Sequence, residues 1–426
     1  MAEREGRVED LEVSAASGVP ARSAGCLSCG DGGLVDVLSL GALPLANAYP
    51  ALDDSRDEPR FPLDLALCPA CGLVQLRHVV PPEAMFADYL YFSSYSASML
   101  EHAKALAQSL VAERGLGAGS LVMEVASNDG YLLQYFAAAG VPVLGIEPAA
   151  NVAVVARETR NIPTLVEWFG RDLGRRLAAE GTQADVILGL NVMAHVPDFN
   201  GFLAGLASLL KPEGVAVIEA PYVRDMVEKA EFDTIYHEHL FYFSVSAVAA
   251  AAVRHGLVVQ RVERVPVHGG SLRLFLGRGA SHGPTAQRLL DEEAALGLTT
   301  PAYYAGFRRA VERIRTDLTA LVSRLRREGA SIGGYGAAAK ATILLNYCGL
   351  SARDVDFVAD RSPYKQGRRI PGCGIPIVAA DAIAERRPDY VVLFVWNIKD
   401  EVMRQEDAYR RAGGRFIVAV PGVRIE

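Results

Sequence analysis

Two Cys-x-x-Cys pairs, Cys26-Leu-Ser-Cys29 and Cys68-Pro-Ala-Cys71, offer four thiolates in two matched turns. A pair at this spacing folds into a knuckle that delivers both sulfurs to one side of a tetrahedral ion. Gly30 and Gly72, directly after each pair, permit the turn. Two knuckles complete a Cys₄ set, the closed coordination of structural zinc, with no open position for catalysis. Redox dithiols or an iron–sulfur cluster are the competing uses. A redox pair ordinarily opens a helix after a strand, whereas the flanks here read as loops. Zinc at Cys26, Cys29, Cys68 and Cys71 is the expectation, and the lone Cys348 and Cys373 read as packed thiols.

A second constellation is acidic. In Met-Glu-Val-Ala-Ser-Asn-Asp-Gly, Glu124 closes a predicted strand and Gly130 opens a helix; Glu147 closes the next strand. Ligands of doubly wound sheets bind outside such strand ends, where a carboxylate suits ribose hydroxyls. The turn is not Gly-x-Gly-x-x-Gly, and two carboxylates would repel a pyrophosphate. A cationic, ribose-bearing molecule fits, and S-adenosylmethionine matches that description.

The third constellation is Tyr236-His237-Glu238-His239. An imidazole titrates near working pH and can remove a proton beside a carbonyl, with Glu238 or Tyr236 orienting it or steadying an enolate. The run lacks the His-Glu-x-x-His spacing of a metal helix. His195, just after a predicted strand, could face the same cleft.

The elements that must position these groups follow from periodicity. Residues 23–82 are punctuated by Gly, Pro and Asp and read as loop-like, a block that needs a metal staple. From residue 83 to 300, apolar strands in LVMEVASNDG, PVLGIEP, ADVILGLN and GVAVIEAP alternate with helices, which implies a parallel sheet covered on both faces. A long helix from Tyr303 to Glu328 opens a last block, 301–426, of the same design. The predicted fold class is α/β: two Rossmann-like doubly wound domains plus a small N-terminal zinc-binding domain. The 426 residues, half of them hydrophobic, suit two to three domains. A net charge of -7 argues against a nucleic-acid footprint, and no apolar run is long enough to cross a bilayer. Residues 1–22 have no apolar signal region and read as a flexible tail. A cytoplasmic monomer, with no nucleic-acid or membrane partner, is the expectation.

Together these residues resemble the S-adenosylmethionine-dependent sugar C-methyltransferases of deoxysugar biosynthesis. The resemblance is carried, in order, by the two cysteine pairs, FADYLYFSSYS, EVASNDGYLL, NVMAHVPD, FDTIYHEHLFYFS, GYGAAAKATILLNYCG and VADRSPYKQG. It implies methylation of a dTDP-linked 4-keto-6-deoxysugar beside the ketone, with C-3 in first place and C-5 as the alternative. It makes His239 the general base, with Tyr236, Glu238 and His195 around it, and brings in Tyr89 or Tyr91. The cofactor set is Glu124, Ala126, Ser127, Asn128, Gly130, Glu147 and Asn191. The family more often has glycine where this chain has Ala126. The last domain would hold the dTDP through Tyr335, Lys340, Asp360, Arg361, Tyr364 and Lys365, near a helix start that can bind phosphate. Two rivals are an NAD-dependent nucleotide-sugar dehydrogenase or epimerase and a non-catalytic zinc-stabilised nucleotide-binding protein. The second leaves the Tyr236–His239 run unexplained.

Overall fold

The computed structural model describes residues 23–81, Met85, 93–95 and 97–426. The expected tail over 1–22, together with Tyr89 and Tyr91, lies outside the described residues.

The first block is not loop-like. Three antiparallel strands run through it, β1 (Val35–Pro44), β2 (Arg60–Leu67) and β3 (Val74–Leu76). Its Gly, Pro and Asp residues mark the turns between strands rather than an absence of them. Leu40, Leu43, Leu63 and Leu65 are buried in a cluster that continues into the rest of the chain, so this block shares a core.

In the second block the strands are β4 (Val122–Val125), β5 (Val143–Ile146), β6 (Thr164–Leu165), β7 (Ala184–Leu190), β8 (Leu210–Pro221), β9 (Phe241–Tyr242), β10 (Val258–Val265) and β11 (Ser271–Gly277). Seven of them form one sheet in the order β10-β11-β8-β7-β4-β5-β6. The run from β8 to β6 is parallel, as the alternation predicts, while β10 and β11 add an antiparallel edge. Short β6 and the polar, exposed stretches of β10 lack the continuous apolar run that marks a buried parallel strand, which hid them from the sequence. Strand order reverses between β4 and β7, which opens a crevice at their carboxyl ends.

The eighth strand, β9, leaves that sheet and pairs antiparallel with β3. It is the fourth strand of the N-terminal sheet, so the run of imidazoles just before it is anchored on the first block.

The helix Pro301–Arg327 leads into β12 (Ile332–Tyr335), β13 (Val358–Asp360), β14 (Ile377–Ala379), β15 (Tyr390–Leu393), β16 (Arg415–Val418) and β17 (Arg424–Ile425). Their order is β14-β13-β12-β15-β16-β17, parallel except for β17, with a second crevice between β12 and β15. No described helix is long and apolar enough to cross a membrane.

Candidate active site

The four expected zinc ligands converge. Cys26 Sγ lies 3.5 Å from Cys71 Sγ and Cys29 Sγ 3.5 Å from Cys68 Sγ, with all four sulfurs within 4.8 Å of one another. A tetrahedral ion with Zn–S bonds of about 2.3 Å has sulfur–sulfur edges of about 3.8 Å, which these positions fit. Each knuckle closes identically: Gly30 N–H donates to Cys26 O and Gly72 N–H to Cys68 O, both at 2.8 Å. The two glycines take φ of 77° and 75°, left-handed values that a side chain resists. Arg254 and Asn200, from the middle domain, donate to the Ser28 carbonyl at the tip of the first knuckle.

At the carboxyl end of β4 the chain turns sharply, with Ala126, Asn128 and Gly130 at φ of 52°, 49° and 77°. The Glu147 carboxylate holds this turn, accepting from Asn128 N–H at 3.0 Å and Ala149 N–H at 2.9 Å. Ser93 N–H donates to Asn128 Oδ1 from the segment before the helix Ala97–Arg114. Asn191, just past β7, completes the rim of the crevice. Four buried oxygens here, Glu124 Oε2, Ser127 Oγ, Asp129 Oδ1 and Asn191 Oδ1, have no hydrogen-bond partner among the described residues. Burial pushes the Glu124 carboxyl well above the usual carboxylate range, and Asp129 and Glu147 push it further. Orphaned acceptors and crowded carboxyls suit a cationic, donor-bearing ligand such as S-adenosylmethionine, which carries an ammonium, a sulfonium and ribose hydroxyls.

The imidazole cluster adjoins this rim. Leu240 N–H donates to Ala194 O, which fastens the segment against the loop after β7. The His195 and His239 rings meet edge to face at 4.8 Å. His239 Nδ1 lies 3.1 Å from the Thr234 carbonyl, which can only accept, so Nδ1 carries a proton and in the neutral ring Nε2 keeps the lone pair. The Tyr236 hydroxyl stands 2.6 Å from that lone pair. Burial lowers His195 to about 4, so it is neutral. His237 faces away: its Nε2 meets the Phe61 carbonyl at 3.1 Å, and burial lowers it to about 4 as well. Glu238 points toward the other domains, and burial raises its carboxyl to about 7.

The third expected group lies around the β12–β15 crevice. The Asp360 carboxylate accepts from Ala337 N–H at 2.7 Å and Ser362 N–H at 2.8 Å, clasping the turn after β12. Lys365 Nζ donates to Ala337 O at 2.7 Å. Lys340 leaves the first turn of the helix Ala339–Cys348 and donates to Asn397 Oδ1 at 2.8 Å, beside the Trp396 ring. Burial lowers this lysine, while Asp233 and Glu231 of the middle domain oppose the shift. Tyr335 is buried beneath Arg361, and Tyr364 stands exposed on the rim.

Across 404 residues, 94% of this chain and 96% of the relative, the sequence is 36% identical to C-methyltransferase NovU from Streptomyces niveus. This chain belongs to the C-methyltransferase family. Family models match it in three consecutive pieces: a zinc binding domain over 26–86, a methyltransferase domain over 99–262 and a C-methyltransferase C-terminal domain over 266–421. A ubiquinone biosynthesis O-methyltransferase from Bartonella bacilliformis is 28% identical over 24% of this chain and 41% of its own length. Among solved structures, magnesium protoporphyrin IX methyltransferase from Synechocystis PCC 6803 aligns with 42% of this chain and 79% of its own at 17% identity, TM-score 0.33.

The C-methyltransferase is thus an enzyme that uses S-adenosylmethionine and carries structural zinc in its N-terminal domain. The match over 266–421 assigns the last block to this family. Asn47, Tyr49, Asp129, Asp233 and Trp396 were not singled out from the sequence. Asn47 Nδ2 donates to Glu238 Oε1 at 2.7 Å, and Trp396 Nε1 donates to Asp233 Oδ2 at 2.7 Å. Only Asp129, inside the acidic turn, had a local signal that could have drawn attention.

Proposed function

We propose that this C-methyltransferase methylates a dTDP-linked 4-keto-6-deoxysugar at a carbon alpha to the ketone. The observation that carries the reading is the setting of His239: its Nδ1 is held by the Thr234 carbonyl, which leaves Nε2 of the neutral ring as the acceptor facing the Tyr236 hydroxyl beside the cofactor crevice. That geometry supports His239 as the general base. It takes the alpha proton at Nε2 while the electron pair passes to the ketone oxygen as an enolate. Tyr236, freed from Nε2, can then donate to that oxygen; a donor aimed at developing charge is worth about 3 kcal/mol or more of barrier. Neutral His195 packs against the base. Glu124, Ser127, Asn128, Glu147 and Asn191 would hold S-adenosylmethionine, which supplies an electrophilic methyl group when bound.

The sugar nucleotide would lie across both crevices. Asp233, one residue before the carbonyl that orients His239, is bonded to Trp396 at the mouth of the C-terminal crevice. That link supports a substrate whose nucleotide sits near Tyr335, Lys340, Asp360, Arg361, Tyr364 and Lys365 and whose sugar reaches the imidazoles. The test is incubation with a dTDP-4-keto-6-deoxyhexose and methyl-labelled S-adenosylmethionine. Mass spectrometry should show one added methyl on the sugar, and carbon NMR should place it at C-3 or C-5. Label appearing on oxygen, or no transfer to any such sugar while cofactor binds, would refute the reading.

A further inference from the structure

The Glu238 carboxyl is served by a part of the chain far from the imidazoles. The loop Ala46–Pro50 of the N-terminal domain lies against the C-terminal domain and is pinned there four times. Thr342 Oγ1 donates to Ala46 O at 2.9 Å, Tyr49 OH to Ala337 O at 2.7 Å, Arg368 Nη1 to Tyr49 O at 2.9 Å and Arg369 N–H to Pro50 O at 3.0 Å. Tyr49 is 1% exposed, a fully buried phenol whose hydroxyl also stands 3.1 Å from Asn47 Oδ1. Asn47 turns its other amide atom to Glu238, Nδ2 donating to Oε1 at 2.7 Å. When Glu238 is ionised, the Asn47 NH₂ serves the carboxylate and its oxygen faces the phenol, whose single proton is shared with Ala337 O.

We propose that Asn47, held in place by Tyr49, is a positioning residue that sets how the Glu238 carboxyl ionises. The inference rests on the reading that Glu238 belongs to the reaction site. The loop that carries Asn47 is bonded to the same Ala337 turn that Asp360 and Lys365 clasp, so this contact ties the C-terminal crevice to the imidazole cluster. The groups that face Glu238 come from every side. Asn47 and Tyr49 belong to the N-terminal domain and Lys365 to the C-terminal domain. His195 bonds the Glu238 backbone, and Tyr236, His237 and His239 neighbour it on its own segment. Burial favours the neutral acid, whereas the Asn47 donor and the Lys365 charge favour the carboxylate. Removing the donor therefore moves the titration upward.

The experiment is a carbon-NMR titration of full-length, zinc-loaded protein labelled at glutamate Cδ, with the Glu238 signal identified by its loss in Glu238→Gln. The wild-type midpoint should lie near 7. In Asn47→Ala it should rise by about one pH unit, the size of a hydrogen bond to a charged group. Tyr49→Phe keeps the ring and should give a smaller rise in the same direction; it decides the matter if Asn47→Ala does not fold. A midpoint unchanged in the folded variant overturns the inference. The measurement needs no substrate, so it stands or falls apart from the sugar reading, whose failure would appear as absent methyl transfer by wild-type enzyme.

Discussion

The Tyr236 hydroxyl stands 2.6 Å from Nε2 of His239, and the two rings lie 4.0 Å apart at their centroids. Because the Thr234 carbonyl holds a proton on Nδ1, in the neutral ring the phenol is the donor and the imidazole the acceptor. Any base function of His239 must therefore begin by exchanging this phenol for a substrate proton.

The two side chains should then differ when removed. His239→Asn should lose methyl transfer by 10²–10⁴-fold, the usual worth of a general base, while both ligands stay bound. It should also stop substrate-dependent exchange of the alpha proton with D₂O, which reports deprotonation alone. Tyr236→Phe should slow both processes less severely, since it leaves the base in place. Exchange at the wild-type rate in His239→Asn would move the base elsewhere, with His195 the next candidate.

Zinc should matter to catalysis although it touches no reactant. The Cys68–Cys71 knuckle runs into β3, whose Val74 and Gln75 pair with Tyr242 and Phe241, and Leu76 N–H donates to Leu240 O. Metal analysis should return about one zinc per chain. Chelation, or Cys68→Ser, should raise amide hydrogen exchange at 74–76 and 240–242 and lower methyl transfer, with β12 and β15 still protected. Full activity after complete zinc loss would show that β9 holds its place unaided.

Ala126 occupies a left-handed backbone position, φ 52°, where an L side chain crowds the following carbonyl at roughly 1–2 kcal/mol. Ala126→Gly relieves that strain and gives back roughly 0.4–1 kcal/mol through the freer unfolded chain. A net gain of about 0.5–1 kcal/mol in denaturant unfolding is expected, with S-adenosylmethionine affinity retained. A loss of stability would mean the methyl group contributes packing that outweighs the strain.

His237 makes stability depend on pH with a definite sign. Its folded value is lowered to about 4, below the ordinary 6.5, so the unfolded chain binds the proton more readily. Stability from this residue is complete above 6.5 and is lost as pH falls toward 4. Between pH 7 and 5 wild type should lose about 2 kcal/mol relative to His237→Gln, measured by chemical denaturation at both pH values. Equal losses in the two proteins would place the imidazole in contact with solvent.

The Glu147 carboxylate accepts two backbone N–H bonds of the cofactor turn, so Glu147→Ala removes the turn's brace as well as the ribose partner proposed for it. Calorimetry should show affinity for S-adenosylmethionine weakened by about tenfold or more, the equivalent of one or two lost bonds to a charged group. Unchanged affinity would leave Glu147 as a strand-end charge only.

What the sequence determined by itself is what neighbouring residues encode. Each Cys-x-x-Cys-Gly run carries its own knuckle, because the turn needs only the glycine at positive φ and two sulfurs on one side. The acidic turn after β4 and the alternation of strand and helix were legible for the same reason: backbone preference and apolar period act over a few residues. The tertiary structure decided what distant segments do together. Asn47 and Glu238 lie 191 positions apart and Asp233 and Trp396 163 apart, yet each pair shares a hydrogen bond at 2.7 Å. No local pattern marks such partners, because a buried polar atom takes whichever group packing brings within reach. The same holds for β9, too short to read as a strand, which exists because β3 presents an edge for it to pair with. That pairing, rather than anything in Tyr236–His239 itself, sets where the imidazoles stand.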